Sequence, residues 1–266
     1  MLNIIRSQIY IMKRDIYYLW ATGIVFLYFG AVSIETFDSY LAGQDLSGSF
    51  ITPVITADMT YVFLMFAVLF SSRIAGWDFT DKTLNYEIIY GHKRSSVYFG
   101  RAIVGIGTGL IRSAAVAALI VILPTAAFGW GWSVPVSEIV LRYSIIALEL
   151  IRLMAFVIMV STIARSNVAG AFAGFAAFFI PVIVTAMLNL EEEKVKSISF
   201  LSSCLSISEV SSFENYTTDY ILGKDVTIFL DRLEPQFSSL LAVTAILFTA
   251  VYLLIGYAVF RKADIH

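Results

Sequence analysis

From Ser166 to Leu190, and again from Phe237 to Phe260, the chain carries no charged side chain. A helix rises about 1.5 Å per residue, so either run is long enough to cross a hydrocarbon core of about 30 Å. Four further segments fit the same description. Residues 16–34 are uncharged, and residues 57–76 hold an uncharged stretch, Met59 to Ser72, between Asp58 and Arg73. Residues 102–128 contain only Arg112, and residues 139–164 contain Arg142, Glu149 and Arg152. Apolar residues make up 59% of the chain and charged ones 14%, where soluble domains run at about 25% charged. Such a chain lacks the polar side chains to cover a water-facing surface, and its 21 Phe, 14 Tyr and 4 Trp exclude disorder. The 18 basic residues against 20 acidic ones leave no basic field for nucleic acid. The composition predicts an all-α polytopic membrane protein with six spans and no second domain.

Charge placement predicts the orientation. With the N-terminus inside, the cytoplasmic segments hold Arg6, Lys13, Arg14, Arg73, Lys82, Lys93, Arg94, Arg101, Arg165, Arg261 and Lys262. The outer segments hold only Lys194, Lys196, Lys224 and Arg232, all within residues 191–235, while the short loops around Leu41 and Gly131 hold no basic residue. Short loops decide the positive-inside rule, so both termini are expected in the cytoplasm. Before the first span, Leu2, Ile5, Ile9, Met12 and Ile16 recur at spacings of three and four. That stripe predicts an amphipathic elbow helix over residues 2–15, lying along the inner leaflet. The long outer segment, 191–235, keeps short apolar pieces (Ile198–Leu205, Tyr220–Leu222, Val226–Leu230) that read as small helices packed at the outer surface.

The chemistry of catalysis is missing from the sequence. There is no G-x-x-x-x-G-K-[ST], so the chain does not bind ATP through a P-loop. His92, His266 and Cys204 are the only imidazoles and thiol, too few for a zinc site or a Cys/His pair. The expectation is a protein that is not an enzyme and binds no cofactor of its own.

Three features carry information. The cytoplasmic segment between spans two and three begins with Asp78 and Asp81, where acids favour a helix start, and stops at Gly91. It predicts a short helix over residues 80–90 with Leu84 and Ile88 aligned one turn apart. Those side chains either meet a partner surface or dip into the headgroup layer. The second feature is the set of intramembrane charges. Arg112 lies eleven residues beyond Arg101, and Glu149 eleven beyond Glu138, each about 16 Å from its own face. A lone charge at that depth costs at least about 2.5–3.5 kcal/mol, so the expectation is an Arg112–Glu149 pair with Arg152 adjacent and Arg142 reaching outward beside Glu138. Such a cluster either locks the hairpin of spans three and four or lines a wet cavity for an anionic substrate group. The third feature is the pair of small-residue runs Gly105-x-x-x-Gly109 and Gly170-x-x-x-Gly174, which allow close helix approach within one chain or between two.

An elbow helix, six spans, and the segment Asp81-Lys82-Thr83 … Gly91-His92-Lys93-Arg94, followed by Tyr98 and Arg101, resemble the permease subunit of type-2 ATP-binding-cassette (ABC) exporters. Lys82 stands where that family usually has glycine. The ending Phe260-Arg261-Lys262-Ala263-Asp264-Ile265 resembles bacterial antibiotic and bacteriocin exporter permeases. The resemblance implies a bacterial plasma-membrane protein that pairs with a second permease, identical or paralogous, and with two ATPase subunits that hold ATP and Mg. It also implies that Thr80, Asp81, Thr83, Leu84, Glu87, Ile88, Gly91 and Arg94 form the coupling segment that docks on the ATPase. The alternative from the residues themselves is a stand-alone secondary transporter or channel using Arg112, Glu149 and Arg152.

Overall fold

The computed structural model describes residues 1–40, 47–80, 91–188, 203–213, 216–221 and 224–262. Its elements are α1 (Leu2–Arg14), α2 (Ile16–Tyr40), α3 (Gly48–Thr80), α4 (Arg94–Phe128), α5 (Val136–Ala164), α6 (Asn167–Leu188), α7 (Ser203–Ser211), β1 (Tyr216–Ile221), β2 (Lys224–Phe229) and α8 (Pro235–Lys262). Four of these, α3 over Gly48–Gly76 together with α4, α5 and α8, are long and apolar enough to cross a membrane. The chain is mostly helical, as expected of a helical membrane protein.

The bundle is built around α3 and α5. In α5 72% of the most apolar stretch is buried, and in α3 67%, against 28% in α4 and 22% in α8. The outer helices turn bare apolar side chains outward: Leu19 and Leu27 on α2, Phe172 on α6, and Val243, Ile246 and Leu254 on α8 are each at least 57% exposed. A belt of this kind needs a non-aqueous neighbour.

Small residues set the inner spacing. A side chain on Gly105 would meet Ser71 and Ile74 of α3 and Ile158 of α5, and one on Gly109 would meet Met154 of α5 and Ala67 of α3. On α6, Gly170 lies against Ser161, and Gly174 against Val157 and Val68. Both glycine runs therefore pack helices of one chain. A polar ladder runs down α3 beside them. The Thr52 hydroxyl donates to the carbonyl of Ile120, Thr56 bonds the Tyr143 hydroxyl at 2.7 Å, and Thr60 donates to Ser211 Oγ at 2.7 Å. Spaced at four residues, these hydroxyls tie α3 in turn to α4, α5 and α7.

Three boundaries differ from the sequence reading. The second apolar segment is not confined to 57–76: α3 begins at Gly48, where the Gly48 and Ser49 amides donate to the carbonyls of Gly129 and Trp130. That docking extends the helix by nearly three turns before Asp58. The first helix of the pair is as expected through Arg14, but α1 is not only a surface helix. Ile4 is buried against Gly100 of α4, Ile5, Ile9 and Met12 pack on the core, and Leu2 and Ile16 of the stripe stay exposed. Finally, the outer segment is not all helix. Tyr216–Ile221 and Lys224–Phe229 pair as an antiparallel hairpin, because both runs are rich in the β-branched and aromatic residues that fit a pleated surface.

The close approach of α6 to α3 and α5 gives a direct test. Gly174→Leu drives a side chain into Val157 and Val68, and overpacking of this kind costs about 1–3 kcal/mol. The purified variant is expected to melt several degrees below wild type, whereas the same change at Gly23, which faces open space, leaves the midpoint within error.

Candidate functional site

Among the described residues, four of the five buried charged side chains, Glu138, Arg142, Glu149 and Arg152, sit on α5, and the fifth is Arg101 of α4. Glu138 lies in the first turn of α5, where the helix dipole favours an acid. Its Oε1 accepts from Arg142 Nε at 2.8 Å and from the Leu233 amide at 2.9 Å. The other nitrogens of Arg142 donate to the carbonyls of Val210 at 2.9 Å, Ser212 at 2.7 Å and Asp231 at 3.3 Å. The guanidinium also sits 3.9 Å above the Phe213 ring. Arg142 thus does not reach outward to water. It is buried at 5% exposure and clasps the end of α7 and the strand-to-α8 connection onto α5.

Two turns further along α5, Glu149 and Arg152 pair with each other at 3.3 Å, and both are 0% exposed. Arg152 lies 4.7 Å from the Phe248 ring, so the pair joins α5 to α8. The expected Arg112–Glu149 pair does not form. Arg112 projects instead toward α2, where its Nε donates to Thr22 Oγ1 at 3.2 Å and its charge lies 4.3 Å from the Phe70 ring of α3. Two facts account for the difference. Arg152 reaches Glu149 within the same helix, and Gly105 and Gly109, not Arg112, form the face of α4 that meets α5.

The opposite end of the bundle gathers the basic residues. Asp15 ends α1, caps α2 by accepting from the Tyr17 amide at 3.0 Å, and takes Arg73 Nε and NH2 at 3.0 and 2.8 Å. Arg73 thus pairs with the residue that ends α1, and α3 continues past it to Thr80. An aspartate directly before an apolar run is the sequence signature of such a cap. Arg94 opens α4 and donates to the Arg261 carbonyl at the end of α8 at 2.6 Å. Gly91 has φ +86°, the left-handed region that glycine tolerates and that a helix stop uses. Of the expected coupling residues, Thr80 ends α3, while Asp81, Thr83, Leu84, Glu87 and Ile88 lie outside the described residues.

A cavity of about 360 Å³ opens between α3, α4 and α5. Phe63, Leu110, Ala117, Ile146 and Leu150 make it almost wholly apolar, with Ser113 and Tyr143 as its polar groups. Neither Glu149 nor Arg152 lines it.

The chain matches no model of a known protein family and no curated protein.

The two α5 pairs respond differently to substitution. Arg142→Met leaves Glu138 buried beside orphaned carbonyls, a loss of about 3–5 kcal/mol, and releases the cap. Limited proteolysis is expected to cut near Ser212 in this variant while helical circular dichroism stays unchanged. For the inner pair, Glu149→Leu and Arg152→Met each strand a buried charge, so each alone destabilises strongly, whereas the double variant regains most of the loss. Additive midpoint shifts in that cycle would show that the two side chains do not act as a pair.

Proposed function

We propose that this chain is the membrane-spanning permease subunit of an ATP-driven exporter of the type-2 ABC class. In this reading all six apolar helices span, with α2 and α6, of 25 and 22 residues, joining the four longest, and both termini face the cytoplasm. The observation that carries the reading is the meeting of one set of elements at a single end of the bundle. The elbow α1, the Asp15–Arg73 pair, the left-handed backbone of Gly91 and the Arg94 link to α8 all lie there, and Thr80 and Gly91 bound residues 81–90 in the sequence. That arrangement supports a rigid frame around the proposed coupling helix, so a push on residues 80–90 would reach α3 and α4 directly. The cargo is an amphipathic compound such as a peptide antibiotic or bacteriocin, a reading that comes from the chain's ending and from its apolar cavity. ATP and Mg would be held by the partner ATPase, and a second permease would complete the pathway.

Enclosure of Glu149 and Arg152 at 0% exposure supports a locking role for that pair, since it gives a cargo or ion no contact with them in this conformation.

Affinity purification from the native membrane tests the proposal. A P-loop ATPase is expected to co-purify, with ATP hydrolysis that depends on this chain. Glu87→Arg and Gly91→Pro should leave insertion intact and separate hydrolysis from transport. A chain that purifies alone and moves its cargo on a proton gradient would contradict the proposal.

A further inference from the structure

Arg112 differs from Arg73, Arg142 and Arg152 in what it meets. Arg142 and Arg152 each hold a glutamate, and Arg73 holds Asp15. Arg112 meets no carboxylate among the described residues. Its Nε donates to Thr22 Oγ1 at 3.2 Å and its NH1 makes a long contact, 3.5 Å, with the Thr108 carbonyl. The Thr22 hydroxyl itself donates to the Tyr18 carbonyl at 2.6 Å, which turns its lone pairs toward Arg112. The rings of Phe70 and Tyr18 lie 4.3 and 5.8 Å from the guanidinium carbon. A guanidinium has five N–H donors in a planar fork. Two are engaged by neutral oxygens and the Phe70 ring covers one face, so most of the fork's edge stays open and no carboxylate among the described residues neutralises the charge.

The surroundings are apolar and open. Ile111 is 70% exposed, and Leu19, one turn before Thr22, is 74% exposed. Arg112 thus lies in the α2–α4 cleft, the gap between these two helices over Phe70 of α3, with exposed apolar side chains of both helices nearby. Thr22 lies seven residues past Asp15, about 10 Å along α2, which is deeper than a headgroup layer of about 5–7 Å. A cation held at that depth attracts an anion that comes with its own apolar tail.

We infer that the α2–α4 cleft is an oxyanion site, in which Arg112 binds the phosphate or carboxylate of a membrane-inserted amphiphile. Thr22 and Phe70 act as positioning residues: one fixes Nε, and the other fills the face of the fork so that its edge is presented to the anion. The same chemistry reaches the cleft by two routes, as an anionic phospholipid drawn below its leaflet plane or as an acidic amphipathic cargo. The inference rests on membrane residence and is independent of the ATPase partner.

Native mass spectrometry and thermal unfolding of the full chain in phosphatidylcholine nanodiscs test it. Phosphatidylglycerol and dodecyl phosphate are added separately, with dodecyltrimethylammonium as the cationic control. Wild type is expected to retain one added anionic amphiphile and to melt higher with it, and the cation should do neither. Arg112→Gln should weaken retention by roughly tenfold or more, the range of a lost charge-assisted hydrogen bond. Arg112→Lys should fall between, because an ammonium keeps the charge without the fork. Retention of phosphatidylglycerol marks a lipid site, and retention of dodecyl phosphate alone marks a cargo site. Equal retention by wild type and Arg112→Gln overturns the inference. So does an unmodified chain that neither anion binds or stabilises, a result that stands even where the glutamine variant does not fold. None of these readouts involves the ATPase, so the transport proposal succeeds or fails separately.

Discussion

A charged side chain inside an apolar bundle has to be met by oxygen or by an aromatic face, and in this protein α5 is where that requirement is concentrated. Four charges on one helix, Glu138, Arg142, Glu149 and Arg152, are all buried. Their partners come from every direction: the α7 end, the connection after β2, and the aromatic face of α8. Removing any one group leaves another stranded, so the charges specify which elements may sit against α5. Apolar packing alone would be less selective, since one lipid-facing side chain resembles another. The consequence is a layered bundle in which the outer cap and α8 are each fastened by a separate polar contact.

Packing supplies the remaining specificity. Helices in a bilayer gain little from hiding apolar surface and approach where small residues let them. Gly105, Gly109 and Gly174 serve contacts to both α3 and α5, and Gly170 to α5. The Thr52–Thr56–Thr60 ladder adds directed bonds along the same helix. With the two central helices held from both sides, the elbow and the basic end are placed by a few contacts at the other extreme, chiefly Asp15 with Arg73 and Arg94 with the end of α8.

Much of the fold was legible because hydropathy reads helices directly. The uncharged runs became α6 and α8, while the helix expected over residues 80–90 falls on residues outside the described ones. Partner choice was not legible. Depth along separate helices matched Arg112 with Glu149, but depth says nothing of azimuth, and Arg112 faces α2. Arg142 looked like a side chain bound for water because the segment that covers it lies nearly seventy residues away. The hairpin of Tyr216–Phe229 was hidden for a related reason. Short apolar pieces are read as helix or strand only weakly from hydropathy; their β-branched and aromatic residues favour the strand, and the contacts of Phe229 with Phe50 and Phe213 hold it in place. Asp15 shows the reverse, a capping signal present in the sequence whose ion-pair partner only the fold supplies.

The proposed coupling role of residues 80–90 requires that the basic end of the bundle face the cytoplasm, and single-cysteine labelling measures that directly. In a Cys204→Ser background, a cysteine at Trp132, a position 70% exposed beside the α4–α5 turn, is expected to react with a membrane-impermeant maleimide on intact cells. A cysteine at His92, beside the Gly91 stop, is expected to react only after the membrane is opened. The opposite pattern, or reaction of both positions from outside, would contradict the placement of the basic end in the cytoplasm and with it the coupling role of residues 80–90.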